Sequence, residues 1–216
     1  MVLQFDTNWE DMSDYVVHFT KPHEEKSDYA NMLRICYERT LKAVNPFGVG
    51  KGKAPPEFPQ NTVCFSEIPL HRLKRLAHKR GGFAIGFTKS FLVSLGGGPV
   101  LYAYKGTPHQ IAIQKLMSGS LQSKSGAEVW KLTPFIDSPG NYGKTKYFFE
   151  WEREWRHVGD MKFETSDAAF LIIPEHLHAA ARAFFEDARD DSTGPAYLCP
   201  YIDTTWSADD IRVALS

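Results

Sequence analysis

This 216-residue chain lacks several things, and each absence removes a class of function. No apolar run reaches the ~18 residues of a membrane-spanning helix. Cysteine is scarce: Cys36, Cys64 and Cys199 are odd in number and far apart. That excludes a disulfide framework, fits no zinc spacing, and points to a reducing cytoplasm. An excess of one charge is also missing, with 25 Lys and Arg against 26 Asp and Glu. Bulk charge therefore does not hold the chain on nucleic acid, although a local basic patch remains open. Met1 to Glu10 lacks the order of a secretory leader. There is no Walker loop, no dinucleotide glycine fingerprint and no serine elbow. Internal repeats and low-complexity tracts are absent too.

What is present describes one domain, residues 1–216, with a sizeable core: 43% hydrophobic, 24% charged, 13% aromatic. Asp14 to Phe19 reads as a strand. Ser27 or Asp28 caps a helix running to about Val44, with Tyr29, Leu33, Cys36, Tyr37 and Leu41 at helical spacing. Residues 48–61 hold three glycines and three prolines and form a long loop. Thr62 to Phe65 is a strand, and Ser66 caps a helix whose outer face carries His71, Arg72, Lys74, Arg75, His78, Lys79 and Arg80. Phe83 to Thr88 and Pro99 to Tyr104 are strands, 108–133 one or two helices, and 134–146 a loop. Ala168 to Ile173 is a strand, Pro174 to Ala188 a helix with Leu177, Ala181, Phe184 and Phe185 inward, and Tyr197 to Ile202 a last strand. Ser207 to Asp210 resembles a capping box. This irregular mixture predicts an α+β fold.

The densest chemistry lies in Phe148-Phe149-Glu150-Trp151-Glu152-Arg153-Glu154-Trp155-Arg156. As one strand from about Lys144 to Val158, it sets Glu150, Glu152, Glu154 and Arg156 on one face and Phe149, Trp151 and Trp155 on the other. Three carboxylates against an aromatic wall suggest that one is used; the plainer reading is a solvated strand helped by its arginines. His18 is either a satisfied core histidine or, beside a glutamate, a sugar-orienting group or general base. Cys64, in an apolar strand, reads as inert. The basic helix face either touches phosphates or is simply solvated.

The order His18-Phe19-Thr20-Lys21, Val63-Cys64-Phe65-Ser66-Glu67, Gly82-Phe83-Ala84-Ile85-Gly86-Phe87-Thr88, then Glu152-Arg153-Glu154-Trp155-Arg156 resembles the AbiGi-type abortive-infection family of bacteria over about residues 15–160. That group looks like a divergent, DarT-like branch of the ADP-ribosyltransferase fold. The resemblance implies split, mostly antiparallel sheets flanked by helices. It implies Glu154, Glu152 and His18 as catalytic residues, and His18, Phe19, Thr20, Ser66, Phe83 and Phe87 as the NAD-binding set. It departs from the histidine-type pattern at Phe83, where tyrosine is common. The expected function is a cytoplasmic phage-defence toxin that moves ADP-ribose from NAD to a macromolecule, nucleic acid preferred, with an antitoxin as its partner. The alternative is an inactive transferase-fold binding module that serves as antitoxin or regulatory partner.

Overall fold

The computed structural model describes residues 12–22, 27–67, 69–121 and 127–216. In chain order its elements are β1 (Tyr15–Phe19), α1 (Asp28–Glu38), β2 (Thr40–Leu41), β3 (Asn45–Pro46) and β4 (Asn61–Ser66). Next come α2 (Leu73–Arg80), β5 (Ala84–Thr88), α3 (Lys89–Ser94), β6 (Gly98–Pro99), β7 (Leu101–Tyr102), α4 (Pro108–Ser120) and α5 (Val129–Leu132). β8 (Ile136–Asp137), β9 (Gly140–Tyr142), β10 (Thr145–Tyr147), β11 (Glu154–Val158) and β12 (Met161–Lys162) follow. β13 (Ala168–Ile172), α6 (His178–Asp190), β14 (Tyr201–Ile202) and α7 (Ala208–Leu215) complete the described chain. With seven helices among the described residues and mostly antiparallel strand pairs, the fold is mixed α+β, as the sequence predicts.

Within that fold the chain divides into two compact units. One holds residues up to Leu41, Phe65–Ser94 and Lys162–Ser216; the other holds Lys42–Cys64 and Leu95–Met161.

The first unit is built on strands in the order β14-β13-β5-β1. β1 runs antiparallel to β5 from Tyr15 opposite Thr88 to Phe19 opposite Ala84, and Val17 also pairs with Ser66. β5 is buried along almost its whole length. Gly86 has to be glycine, because a Cβ there would lie 2.3 Å from the Phe170 ring. Ser27 caps α1 by accepting from the Ala30 amide at 3.2 Å. α1 turns Met32, Ile35 and Cys36 into the core, and α6 adds Ala181 and Phe185.

The second unit sets β3 against β4, with β11 and β6 beyond, and pairs β7 with β8 in parallel. Its loop at residues 48–61 is tied to a buried polar clasp. Gln60 donates to the Trp130 carbonyl at 3.1 Å and accepts from the Thr133 hydroxyl at 2.8 Å. Gly50 fits over this clasp only because it has no side chain.

Four expectations need correction. The acidic segment is not one strand: Glu150–Glu152 is a 3-10 turn, Arg153 is left-handed at φ 47°, and β11 starts only at Glu154. Alternation therefore does not apply across Glu150, Glu152 and Glu154, and Arg156 is buried rather than solvated. Ser66 is the last residue of β4, not a helix cap; α2 begins at Leu73 after Pro69, at ψ 133°, and a 3-10 turn. The first helix stops at Glu38, since Arg39 is left-handed and Thr40–Leu41 leave as a strand. No helix is predicted between the strands at Phe83–Thr88 and Pro99–Tyr104, where α3 forms; the Thr88 hydroxyl opens it by accepting from the Phe91 amide. The capping box at Ser207 and Asp210 is formed.

Candidate functional site

The motif Glu-Trp-Arg on β11 folds into an ion-pair brace in the second unit. Glu154 and Arg156 are two apart on a strand and so share a face. The Arg156 guanidinium, fully buried, donates through Nε to Glu154 Oε1 at 2.9 Å and through Nη2 to Oε2 at 3.0 Å. Nη1 donates to the Pro134 carbonyl at 2.6 Å, and Nη2 also reaches Asp137. The guanidinium carbon lies 5.1 Å from the centre of the Phe47 ring. Tyr147 donates to Asp137 at 2.8 Å, and the Glu154 amide donates to the Tyr102 hydroxyl at 3.3 Å.

Two carboxylates around one guanidinium make this brace electrically consistent. Burial alone disfavours the charged guanidinium, but the hydrogen bonds and charge of Glu154, then of Asp137, hold the Arg156 pKa above its usual range. Burial, followed by the charge of Glu154, pushes the Cys64 thiol up to about 12, which leaves it a neutral, unreactive group. Both oxygens of Glu154 already accept from Arg156, so the carboxylate braces the fold. Glu152 is buried in the 3-10 turn that precedes it.

The other residues singled out from sequence lie in the first unit. His18 is half-buried on β1, with its ring edge-on to Phe65 at 5.7 Å. Thr20 is buried; its hydroxyl reaches the carbonyls of Asp28 at 3.0 Å and Phe83 at 3.1 Å. Phe19, Phe83 and Phe87 are core residues: Phe83 packs on Tyr29, and Phe87 on Phe65, Phe91 and Phe163. Ser66 is buried in its pairing with Val17. With the Thr20 hydroxyl engaged by the fold and three aromatic rings closed into the core, this set does not fit a dinucleotide as folded, and no step through NAD follows.

An open feature of the first unit lies elsewhere. α1, α6 and the turn after α6 enclose a cavity of about 310 Å³, lined by Leu33, Tyr37, Phe184 and Pro195, with Asp187 and Asp191 on its border. Tyr37 is 63% exposed and Phe184 49%, while Phe185 beside it is buried. Ser192, left-handed at φ 54°, turns the chain after α6, and the amides of Thr193 and Gly194 close on the Ala188 carbonyl. Asp187 and Asp191 are in no ion pair among the described residues. The sequence does carry the signal for this groove: both helices have apolar stripes wider than the core uses. Reading Tyr37 and Phe184 as inward-facing hid it. A half-exposed aromatic pair with an acidic border is suited to gripping a peptide side chain.

Comparison with known families places residues 32–189 under a model described as "Putative abortive phage resistance protein AbiGi, antitoxin". Comparisons with curated proteins and with solved structures gave no match, so the transferase-like detail of the fold gains no support there. The family description overturns the expectation of a toxin enzyme, since the family is described as the antitoxin of such a system. It agrees with the alternative, an antitoxin or regulatory partner, and with the brace that occupies Glu154. With most of its length matched, this chain belongs to the AbiGi family of abortive phage resistance antitoxins.

Proposed function

We propose that the chain is the antitoxin of an abortive-infection pair and neutralises a cognate toxin by stoichiometric binding at the groove between α1 and α6. The family description carries the antitoxin half of this reading. The groove carries the binding half: Tyr37 and Phe184 present apolar surface, and Asp187 and Asp191 favour a positively charged neighbour. The matching segment is an amphipathic helix or turn of the toxin with an apolar anchor flanked by Lys or Arg. Solvent-exposed rings at such a contact are typical binding hot spots, where truncation costs upwards of ~2 kcal/mol.

The test is a paired expression experiment in a bacterial host. The product of the adjacent gene is expressed alone, with this chain, and with a Tyr37→Asp/Phe184→Asp variant. The expected result is growth arrest alone, relief with the native chain, and loss of relief with the variant, whose Kd for the toxin rises at least about 100-fold. Relief that survives the double substitution moves the interface away from the groove. Growth arrest by this chain on its own, or NAD turnover by the purified chain, overturns the antitoxin reading.

A further inference from the structure

Charge is distributed unevenly along this nearly neutral chain. From residue 68 to residue 127 there is no Asp or Glu, while nine Lys and Arg occur. The second unit as a whole carries eleven Lys and Arg against seven Asp and Glu. Much of that excess is exposed beside the β9–β10 hairpin.

The hairpin pairs Tyr142 with Thr145 and Tyr147 with Gly140, and Gly143, at φ 60°, makes the turn. Lys144 and Lys146 are exposed on it. Lys105 crosses the hairpin, with its ammonium 4.6 Å from the centre of the Tyr142 ring and donating to the Asn141 carbonyl at 3.0 Å. Aromatic surface is interleaved with these cations: Tyr104 is 41% exposed, Tyr142 44% and Phe148 42%. None of the three lysines is in an ion pair among the described residues. The carboxylate on this face, Glu150, accepts from the Tyr104 hydroxyl at 2.9 Å.

We infer that this lysine–aromatic face of the second unit binds single-stranded nucleic acid, with Lys105 and Lys144 on phosphates and Tyr142 stacked on a base; Lys146 pairs with Asn141 and lies on the other side of the hairpin. Two chemical arguments select that occupant. Lysine is depleted at protein–protein contacts, and both cations of this face are lysines, so phosphate fits better than an acidic protein. The rings offer their surface to solvent, which suits unpaired bases and not the closed stack of a duplex. The inference does not depend on the antitoxin reading, since its residues are not those of the α1–α6 groove.

The experiment measures fluorescence anisotropy of the full chain with labelled 20-mers of dT and of rU, and with a 20-base-pair duplex, at 50 and 150 mM NaCl. The expected result is tighter binding of at least one single strand than of the duplex; the two single-stranded arms distinguish DNA from RNA. Tyr142→Ala weakens binding about tenfold and Tyr142→Phe restores it. Lys105→Ala/Lys144→Ala lowers the slope of log affinity against log salt by about 1.4. Unchanged melting curves show that these exposed substitutions leave the fold intact. Absence of binding at 50 mM NaCl overturns the inference. So does equal binding of the duplex with no effect of Tyr142→Ala, and so does a parent chain that ignores every oligonucleotide yet loses its protein partner when the lysines are removed.

Discussion

Arg156 grips Glu154 from two residues further along the same strand, with separate nitrogens on the two carboxylate oxygens at 2.9 and 3.0 Å. The same guanidinium reaches Asp137 and the Pro134 carbonyl, so one side chain ties β11 to β8 and to the turn before it. Taking such charges out of water is costly, and the gain lies in leaving no lone pair unmet.

Arg156→Ala leaves Glu154 and Asp137 facing each other without a cation. We expect a loss of about 3–5 kcal/mol in urea unfolding. Glu154→Gln keeps an acceptor and leaves Asp137 as counter-charge, so its cost is about 1–2 kcal/mol. Equal, small losses in both variants would mean that the brace does not hold the unit together.

Gly86→Ala drives a methyl group into the Phe170 ring. The expected destabilisation is about 1–3 kcal/mol, from overpacking. Phe170→Leu in the same chain makes room and recovers part of it. A melting temperature for Gly86→Ala equal to that of the parent would place the ring elsewhere.

Burial raises all three thiols, Cys64 and Cys199 to about 12 and Cys36 further. Their unfolded pKa is about 8.5, so between about pH 9 and 12 the unfolded chain releases protons that the folded chain keeps. The sign is therefore negative: this contribution is complete below about pH 8.5 and is lost as pH rises toward 12. The urea midpoint should fall between pH 8 and pH 10. At pH 8 an aromatic disulfide reagent should find Cys36 closed off and the partly buried Cys64 and Cys199 slow to react in the native protein, and all three open after denaturation. Rapid native reaction at Cys36 would contradict its burial.

Phe184 and Phe185 are neighbours with opposite duties. Phe185 is a core residue, and Phe185→Ala should cost about 3–5 kcal/mol. Phe184 is half exposed, and Phe184→Ala should cost under about 1 kcal/mol while weakening the binding proposed for the groove. Calorimetric melting of the two variants decides between core and contact roles.

Much of the fold is legible in the residues. Strands at Tyr15–Phe19, Ala84–Thr88 and Ala168–Ile172 announce themselves through β-branched and aromatic runs, and Ser207 announces α7 through its cap. The acidic segment misleads because alternation along Phe148 to Arg156 mimics a strand, whereas the left-handed backbone at Arg153, unusual for a non-glycine residue, has no sequence signature. Asp137 and Tyr102 join the brace from distant positions, and no local pattern foretells that. The groove is hidden for a different reason: helical periodicity reports apolar width, but it does not say which apolar residues find a partner inside the chain.

A carboxylate and a guanidinium two positions apart, preceded by a second acid, look from the letters alone like machinery for handling a sugar nucleotide. In this molecule the same letters spell a tie-rod. Its second anchor is invisible in that string, because Asp137 takes hold of the same guanidinium from far up the chain.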